Sequence, residues 1–117
     1  MSLKVYYLDD EEGLCENFSD AFSTEKFCVI TFTDPAKAVE AAKLNPPDLF
    51  FLDYRLPGTT GDQIAQALDP KIPKFLITGD IFIETNYKFM KVFAKPYSDE
   101  EILKVLHEYG SILKAAG

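Results

Sequence analysis

The chain has 117 residues, enough for one domain, and carries 19 acidic against 12 basic side chains for a net charge of −7. That balance excludes a nucleic-acid binder, which needs a basic footprint, and a 47% apolar content with 14% aromatics excludes a disordered chain. No apolar run reaches the about 18–20 residues that span a bilayer, and the N-terminus lacks the basic flank and apolar stretch of a signal peptide.

Short apolar runs alternate with helical patterns along the whole chain. Leu3–Leu8 is a strand-length run ending at acids, and Leu14, Phe18, Ala21 and Phe22 recur at helical spacing, predicting an amphipathic helix over roughly 11–24. Phe27–Phe32 is rich in β-formers and predicts a second strand. Asp34-Pro35 reads as an N-cap followed by proline at the first helical position, with a helix running through Ala38, Val39 and Ala42 and stopping before Asn45-Pro46-Pro47. Leu49–Leu52 is apolar on every residue, the mark of a strand in the middle of a sheet covered on both sides. A turn-rich loop over Tyr54–Thr60 precedes a short helix from about Gly61 to Leu68, then a buried strand at Lys74–Thr78 and a last strand at Lys91–Ala94. The final helix begins after Ser98, with Glu101 as its capping-box partner. Cys15 and Cys28 sit in apolar-periodic segments and read as reduced, buried thiols of a cytoplasmic protein. With one histidine and no CxxC pair, structural zinc is excluded.

Five strands alternating with helices imply a parallel sheet with right-handed crossovers, sandwiched in three α/β/α layers. In such folds ligands bind beyond the carboxyl ends of the strands. Those ends hold Asp9-Asp10-Glu11-Glu12 after the first strand, Asp53 after the third, Thr78-Gly79 after the fourth and Lys95-Pro96 after the fifth. Each has a simpler use, as a helix-terminus charge, a turn residue, a capping hydroxyl or a surface turn. Their coincidence at successive strand ends is what points to a site. Neighbouring carboxylates repel and raise one another's pKa. A hard divalent cation removes that cost, and magnesium suits carboxylate oxygens and water. An acidic loop with magnesium becomes a phosphoryl site, a carboxylate can form an acyl phosphate, and Thr78 and Lys95 can bind phosphoryl oxygens.

These segments, LDDEEG at 8–13, LDYRLPGTTG at 52–61, FLITGD at 75–80 and AKPYSDEEIL at 94–103, resemble the receiver domain of two-component response regulators. The resemblance covers nearly the whole chain. It implies one receiver domain over 1–117 without an effector domain, and a flavodoxin-like, doubly wound five-stranded sheet of order 2-1-3-4-5. It further implies that Asp53 is the phosphoacceptor, that Asp10 coordinates Mg2+ directly and Asp9 largely through water, and that the main-chain carbonyl of Arg55 is a third protein ligand. Thr78 and Lys95 would hold the phosphoryl oxygens, Lys95-Pro96 would be a cis peptide, and the donor would be a phosphohistidine on a sensor histidine kinase or a histidine phosphotransfer protein. The downstream partner would be another protein.

The chain departs from the family pattern in two places. Val92 stands where the family usually has an aromatic residue that couples to the Ser/Thr; Phe93, one residue along the strand, points to the other face, leaving Tyr87 or Phe89 as substitutes only under a different local backbone. Thr78 to Lys95 spans seventeen positions, short for a receiver, so the stretch Asp80–Met90 is predicted to hold a fourth helix cut to one or two turns, or an irregular loop. Its three consecutive apolar residues, Ile81-Phe82-Ile83, either fill the space left by the short helix or form a partner or self-association patch. Arg55 and Asp80, two residues after Asp53 and Thr78, are placed to pair across the mouth of the site, either as an exposed ion pair of little energy or as an influence on water access. Other functions fit less well. A haloacid-dehalogenase-type phosphatase needs an acid where Arg55 stands, and a flavin or nucleotide module needs a Gly/Ser/Thr-rich loop where four acids stand. The remaining alternative is a receiver-like interaction module not controlled by phosphorylation.

Overall fold

A computed structural model describes residues 2–80 and 83–116, and side chains up to residue 112. In chain order the elements are β1 (Leu3–Leu8), α1 (Glu12–Phe22), β2 (Phe27–Phe32), α2 (Pro35–Leu44), β3 (Leu49–Asp53), β4 (Arg55–Leu56), β5 (Thr59–Thr60), α3 (Gly61–Ala67), β6 (Lys74–Thr78), β7 (Lys91–Ala94) and α4 (Asp99–Ala116). Five strands form one parallel sheet, ordered β2-β1-β3-β6-β7. This is the expected 2-1-3-4-5 order once β4 and β5 are set aside; those two pair antiparallel within the loop that the sequence marks only as turn-rich.

Side chains alternate between two cores, as the period of a strand dictates. Val5, Tyr7, Leu49, Phe51, Phe75, Ile77 and Phe93 meet Phe18 and Phe22 of α1 and Ile102, Val105 and Leu106 of α4 on one face. Tyr6, Leu8, Phe50, Leu52 and Leu76 meet Ala38 and Ala42 of α2 and Ile64 and Ala65 of α3 on the other. Every residue of β3 and β6 is buried, which is why those runs carry no polar alternation. Helix starts follow their local chemistry. The Asp34 carboxylate accepts from Ala36 N at 2.9 Å with Pro35 at the first turn. Ser98 and Glu101 cap α4 reciprocally, Glu101 N donating to Ser98 Oγ at 3.2 Å and Ser98 N to Glu101 Oε2 at 2.9 Å. Cys15 is buried as expected, but Cys28 is exposed because β2 is an edge strand with half its positions facing outward.

Of the two forms predicted for the stretch before β7, the irregular loop is found: residues 83–90 hold no helix, while 81 and 82 lie outside the described residues. Ile83, Tyr87 and Phe89 pack on the second core; of the apolar run Ile81-Phe82-Ile83, the first two lie outside the described residues. The segment is tied by a group the sequence pattern hides. Lys74 is 1% exposed. Its ammonium donates to Asp69 O at 2.8 Å, Ile72 O at 3.0 Å and the Tyr87 hydroxyl at 3.0 Å. Three acceptors match its three protons, so burial leaves none unmet. Asn86 N donates to Asp62 Oδ2 at 2.6 Å, a second tie.

Tyr87→Phe removes one acceptor from a buried cation, which costs about 1–3 kcal/mol. A urea melt is expected to show a drop of that size; an unchanged midpoint would mean the two carbonyls alone suffice.

Candidate functional site

The parallel arrangement delivers the carboxyl ends of β1, β3, β6 and β7 to one edge, and the residues following each strand meet there. Main-chain ladders extend one residue further to hold two of them: Asp9 N donates to Phe32 O at 3.1 Å and Lys95 N to Thr78 O at 2.8 Å. Asp9, Asp10 and Asp53 each present a carboxylate oxygen within 4.8 Å of the others. Asp9 and Asp53 are buried, whereas Asp10 is exposed. Lys95 Nζ lies 3.0 Å from Asp9 Oδ2 and 3.3 Å from Asp53 Oδ1. The Lys95-Pro96 peptide is cis. Thr78 and the Arg55 and Asp80 side chains line the same open cleft of about 680 Å³ as Asp10, Asp53 and Lys95. All six residues singled out from the sequence are therefore gathered at one place, with Arg55 opening β4 immediately beyond Asp53.

Two further residues hold Asp9 and escaped the sequence reading. The Tyr7 hydroxyl donates to Asp9 Oδ2 at 2.8 Å while its ring stacks on Phe18 at 4.2 Å. Burial, then the Asp9 charge, push the phenol well above its usual range, so it stays a donor. The Cys15 thiol donates to Asp9 O at 3.3 Å; burial and the Asp9 charge push it up to about 11, which keeps it protonated. The available signal was position: Tyr7 precedes Asp9 by two residues, on the same face of the strand. With Glu11 N at 3.0 Å on Oδ1, Asp9 is fully held.

Asp53 is positioned by the loop behind it. Tyr54 N donates to Asp53 Oδ1 at 2.9 Å. Gly61 opens α3 directly against Asp53, and a Cβ there would stand 2.5 Å from Asp53 O. The glycine eight residues on is thus required by close approach. Burial, then the Asp9 charge, raise the Asp53 pKa, and Lys95 offsets this only partly. Lys95 experiences the converse. Burial works to lower its pKa, but the hydrogen bond to Asp9 and the Asp53 and Asp9 charges outweigh it, so the ammonium is held charged.

Three carboxylates against one ammonium leave an excess of two negative charges among hard oxygen donors. That donor set fits a divalent cation of the magnesium type. At the expected aromatic position Val92 is 51% exposed, and Phe93 faces the opposite core. Tyr87 does not replace them. Its hydroxyl is bound at Lys74, at the opposite end of β6 from Thr78.

A family model described as response regulator receiver domain matches residues 5–107. The chain is 30% identical to the Probable transcriptional regulatory protein TcrX of Mycobacterium tuberculosis, covering 85% of this chain and 46% of that protein. It thus spans about half the length of that curated relative. It is 25% identical to Sporulation initiation phosphotransferase F of Bacillus subtilis, covering 93% of this chain and 94% of that one. The fold is similar to the signal receiver domain of an HD domain-containing protein from Pseudomonas fluorescens Pf-5, with a TM-score of 0.87 at 17% identity over 98% of this chain and 99% of that one.

Because folding raises the Asp53 pKa, its ionisation opposes folding. The penalty is absent where the group is protonated in both states and opens as pH rises through the unfolded value near 3.8. In EDTA, Asp53→Asn is expected to melt a few degrees higher than the natural chain at pH 7, the difference closing as pH falls below the carboxylate range. A lower melting midpoint for Asp53→Asn at pH 7 would contradict this.

Proposed function

The chain belongs to the response regulator receiver domain family, and from that premise we propose that Asp53 accepts a phosphoryl group from a phosphohistidine donor in a magnesium-dependent reaction that switches a protein partner. The observation that carries this is the Asp53 carboxylate itself: buried, gathered with two others, and 3.3 Å from a charged ammonium.

One carboxylate oxygen of Asp53 attacks phosphorus as the bond from phosphorus to the donor imidazole breaks. The electron pair of that bond returns to the imidazole nitrogen, and the product is an acyl phosphate on Asp53. The side chain approaches in one orientation because Tyr54 N and Lys95 hold Oδ1. The raised pKa marks a carboxylate whose negative charge the protein does not fully compensate. Lys95 and Thr78 line the cleft with Asp53, so the ammonium would bind the phosphoryl oxygens as charge arrives and the Thr78 hydroxyl would add a neutral donor. Asp10 directly, Asp9 largely through water, Asp53 and the main-chain carbonyl of Arg55 would hold magnesium, whose charge would let phosphate oxygens enter an acidic cleft. The donor class is a sensor histidine kinase or a histidine phosphotransfer protein. The free thiols Cys15 and Cys28 accord with work in the cytoplasm.

Val92 and the irregular 83–90 segment favour a second function, a receiver-like interaction module indifferent to phosphorylation. One experiment divides the two. Incubation with acetyl phosphate and magnesium is expected to add the mass of one phosphoryl group to the natural chain and none to Asp53→Asn. No adduct from acetyl phosphate or from a phosphohistidine protein would leave the interaction module. Millimolar magnesium is expected to raise the melting midpoint, because it binds only the folded cluster, and Asp10→Asn is expected to suppress most of that rise. A midpoint indifferent to magnesium would remove the metal site.

A further inference from the structure

Two groups of the cleft hold residue 80. The Arg55 guanidinium pairs with the Asp80 carboxylate, and Asp80 N donates to the Thr78 hydroxyl at 3.0 Å. Both groups line the cleft into which Asp53 opens, and both are what a phosphoryl group seeks. A guanidinium fits phosphoryl oxygens in a bidentate fork, and a hydroxyl can turn to donate to one of them. The Arg55 side chain is 76% exposed, so no packing prevents it from swinging. Asp80 is itself an anion at the same cleft, so the phosphoryl group and Asp80 compete for one cation.

We propose that a phosphoryl group on Asp53 is sensed at Asp80, by taking over the Arg55 and Thr78 contacts that hold this residue. The inference rests on the phosphoacceptor function proposed above and adds how its signal leaves the site. It gives the Arg55 side chain a role, where the family resemblance implicates only its main chain. It also needs no aromatic partner for Thr78 at the usual place: Val92 is aliphatic and half exposed, Phe93 faces the other core, and the Tyr87 hydroxyl is bound at Lys74. The coupling is reciprocal. Whatever strengthens the Arg55–Asp80 pair opposes phosphoryl binding, and a bound phosphoryl group opens the pair to the same extent. Asn86 and Tyr87, tied to Asp62 and Lys74 outside the cleft, lie beyond this exchange of partners.

A double-mutant cycle tests it, using beryllofluoride with magnesium as the phosphoryl mimic on the full chain. Apparent affinity is measured for the natural chain, Arg55→Ala, Asp80→Ala and the double variant, with Asp80→Asn as a second variant that keeps the side-chain shape. Asp80→Ala is expected to bind about two- to fivefold tighter, the range an exposed ion pair supports. The gain is expected to vanish in the Arg55→Ala background. In the natural chain the Arg55 Nε–H and Asp80 amide resonances are expected to move together on saturation, while the Tyr87 amide changes little. Equal or weaker binding by both Asp80 variants would overturn the proposal. So would a gain that persists without Arg55, because the effect would then be simple charge removal. If no variant and not the natural chain binds beryllofluoride, the phosphoacceptor function fails and the inference falls with it, a result distinct from binding that is indifferent to Asp80.

Discussion

Two buried carboxylates, Asp9 and Asp53, share one ammonium, that of Lys95. Burying a carboxylate is expensive unless hydrogen bonds or a counter-charge meet it, and the two acids are met unequally. Asp9 receives Tyr7, Glu11 N and Lys95. Asp53 receives Tyr54 N and the longer of the two Lys95 contacts. The inequality divides the two. Asp9 is a fixed charge that holds Lys95, and Asp53 keeps the unmet charge on which the proposed function relies. The parallel sheet makes this possible. Its strands end in step, so residues 9, 53, 78 and 95, scattered over most of the chain, arrive at one edge without any loop having to carry them.

The opposite end of β6 holds a buried cation handled in the other way. Lys74 has three neutral acceptors and no carboxylate within its hydrogen-bond set. Such a group gives no net charge attraction, but each missing acceptor would leave a buried proton unsatisfied. It therefore specifies geometry: the 69–72 turn and Tyr87 must both be in place. That requirement explains how a chain short of residues between Thr78 and Lys95 still covers its second core. Irregular backbone costs more ordering entropy per contact than a helix, and the ammonium and the Asp62–Asn86 hydrogen bond supply fixed points that a helix would have carried in its own ladder.

The parts of this architecture legible in the letters are those set by local rules. The all-apolar runs at 49–52 and 75–77 announce central strands, Asp34-Pro35 and Ser98 with Glu101 announce helix starts, and polar residues at the end of each strand announce the site. What escaped depends on partners distant in sequence. Lys74 reads as the polar flank of a strand, because its acceptors are carbonyls, which every residue has. Tyr7 reads as one more core aromatic, since nothing in a strand pattern says that its hydroxyl meets a carboxylate. Cys28 looks buried because periodicity records alternation but not which strand lies at the edge. The two-residue strands β4 and β5 are too short for any period to register. Over Asp80–Met90 the letters allow a short helix or a loop, and over 83–90 ties from Asp62 and Lys74, which no window of sequence contains, hold the loop.

The valine at position 92 bears on how such a domain can switch at all. A ring that rotates between buried and exposed positions has two discrete states because packing permits only those two. Val92 has neither the size nor the burial to supply them. A bistable element can instead be electrostatic: one cation with two anionic partners, only one of which it can satisfy. Arg55 lies where Asp80 and an anion on Asp53 are both within the same cleft. Such a pair is weak in water, and that weakness suits the purpose. A strongly held Arg55 would cost the incoming phosphoryl group most of its binding energy. A loosely held one lets a small difference in affinity shift the population, at the price of a shallower response than a buried ring provides. The exposed latch and the valine at position 92 are therefore complementary features of one site, and the 83–90 segment is fixed by Lys74 and Asp62, on its far side.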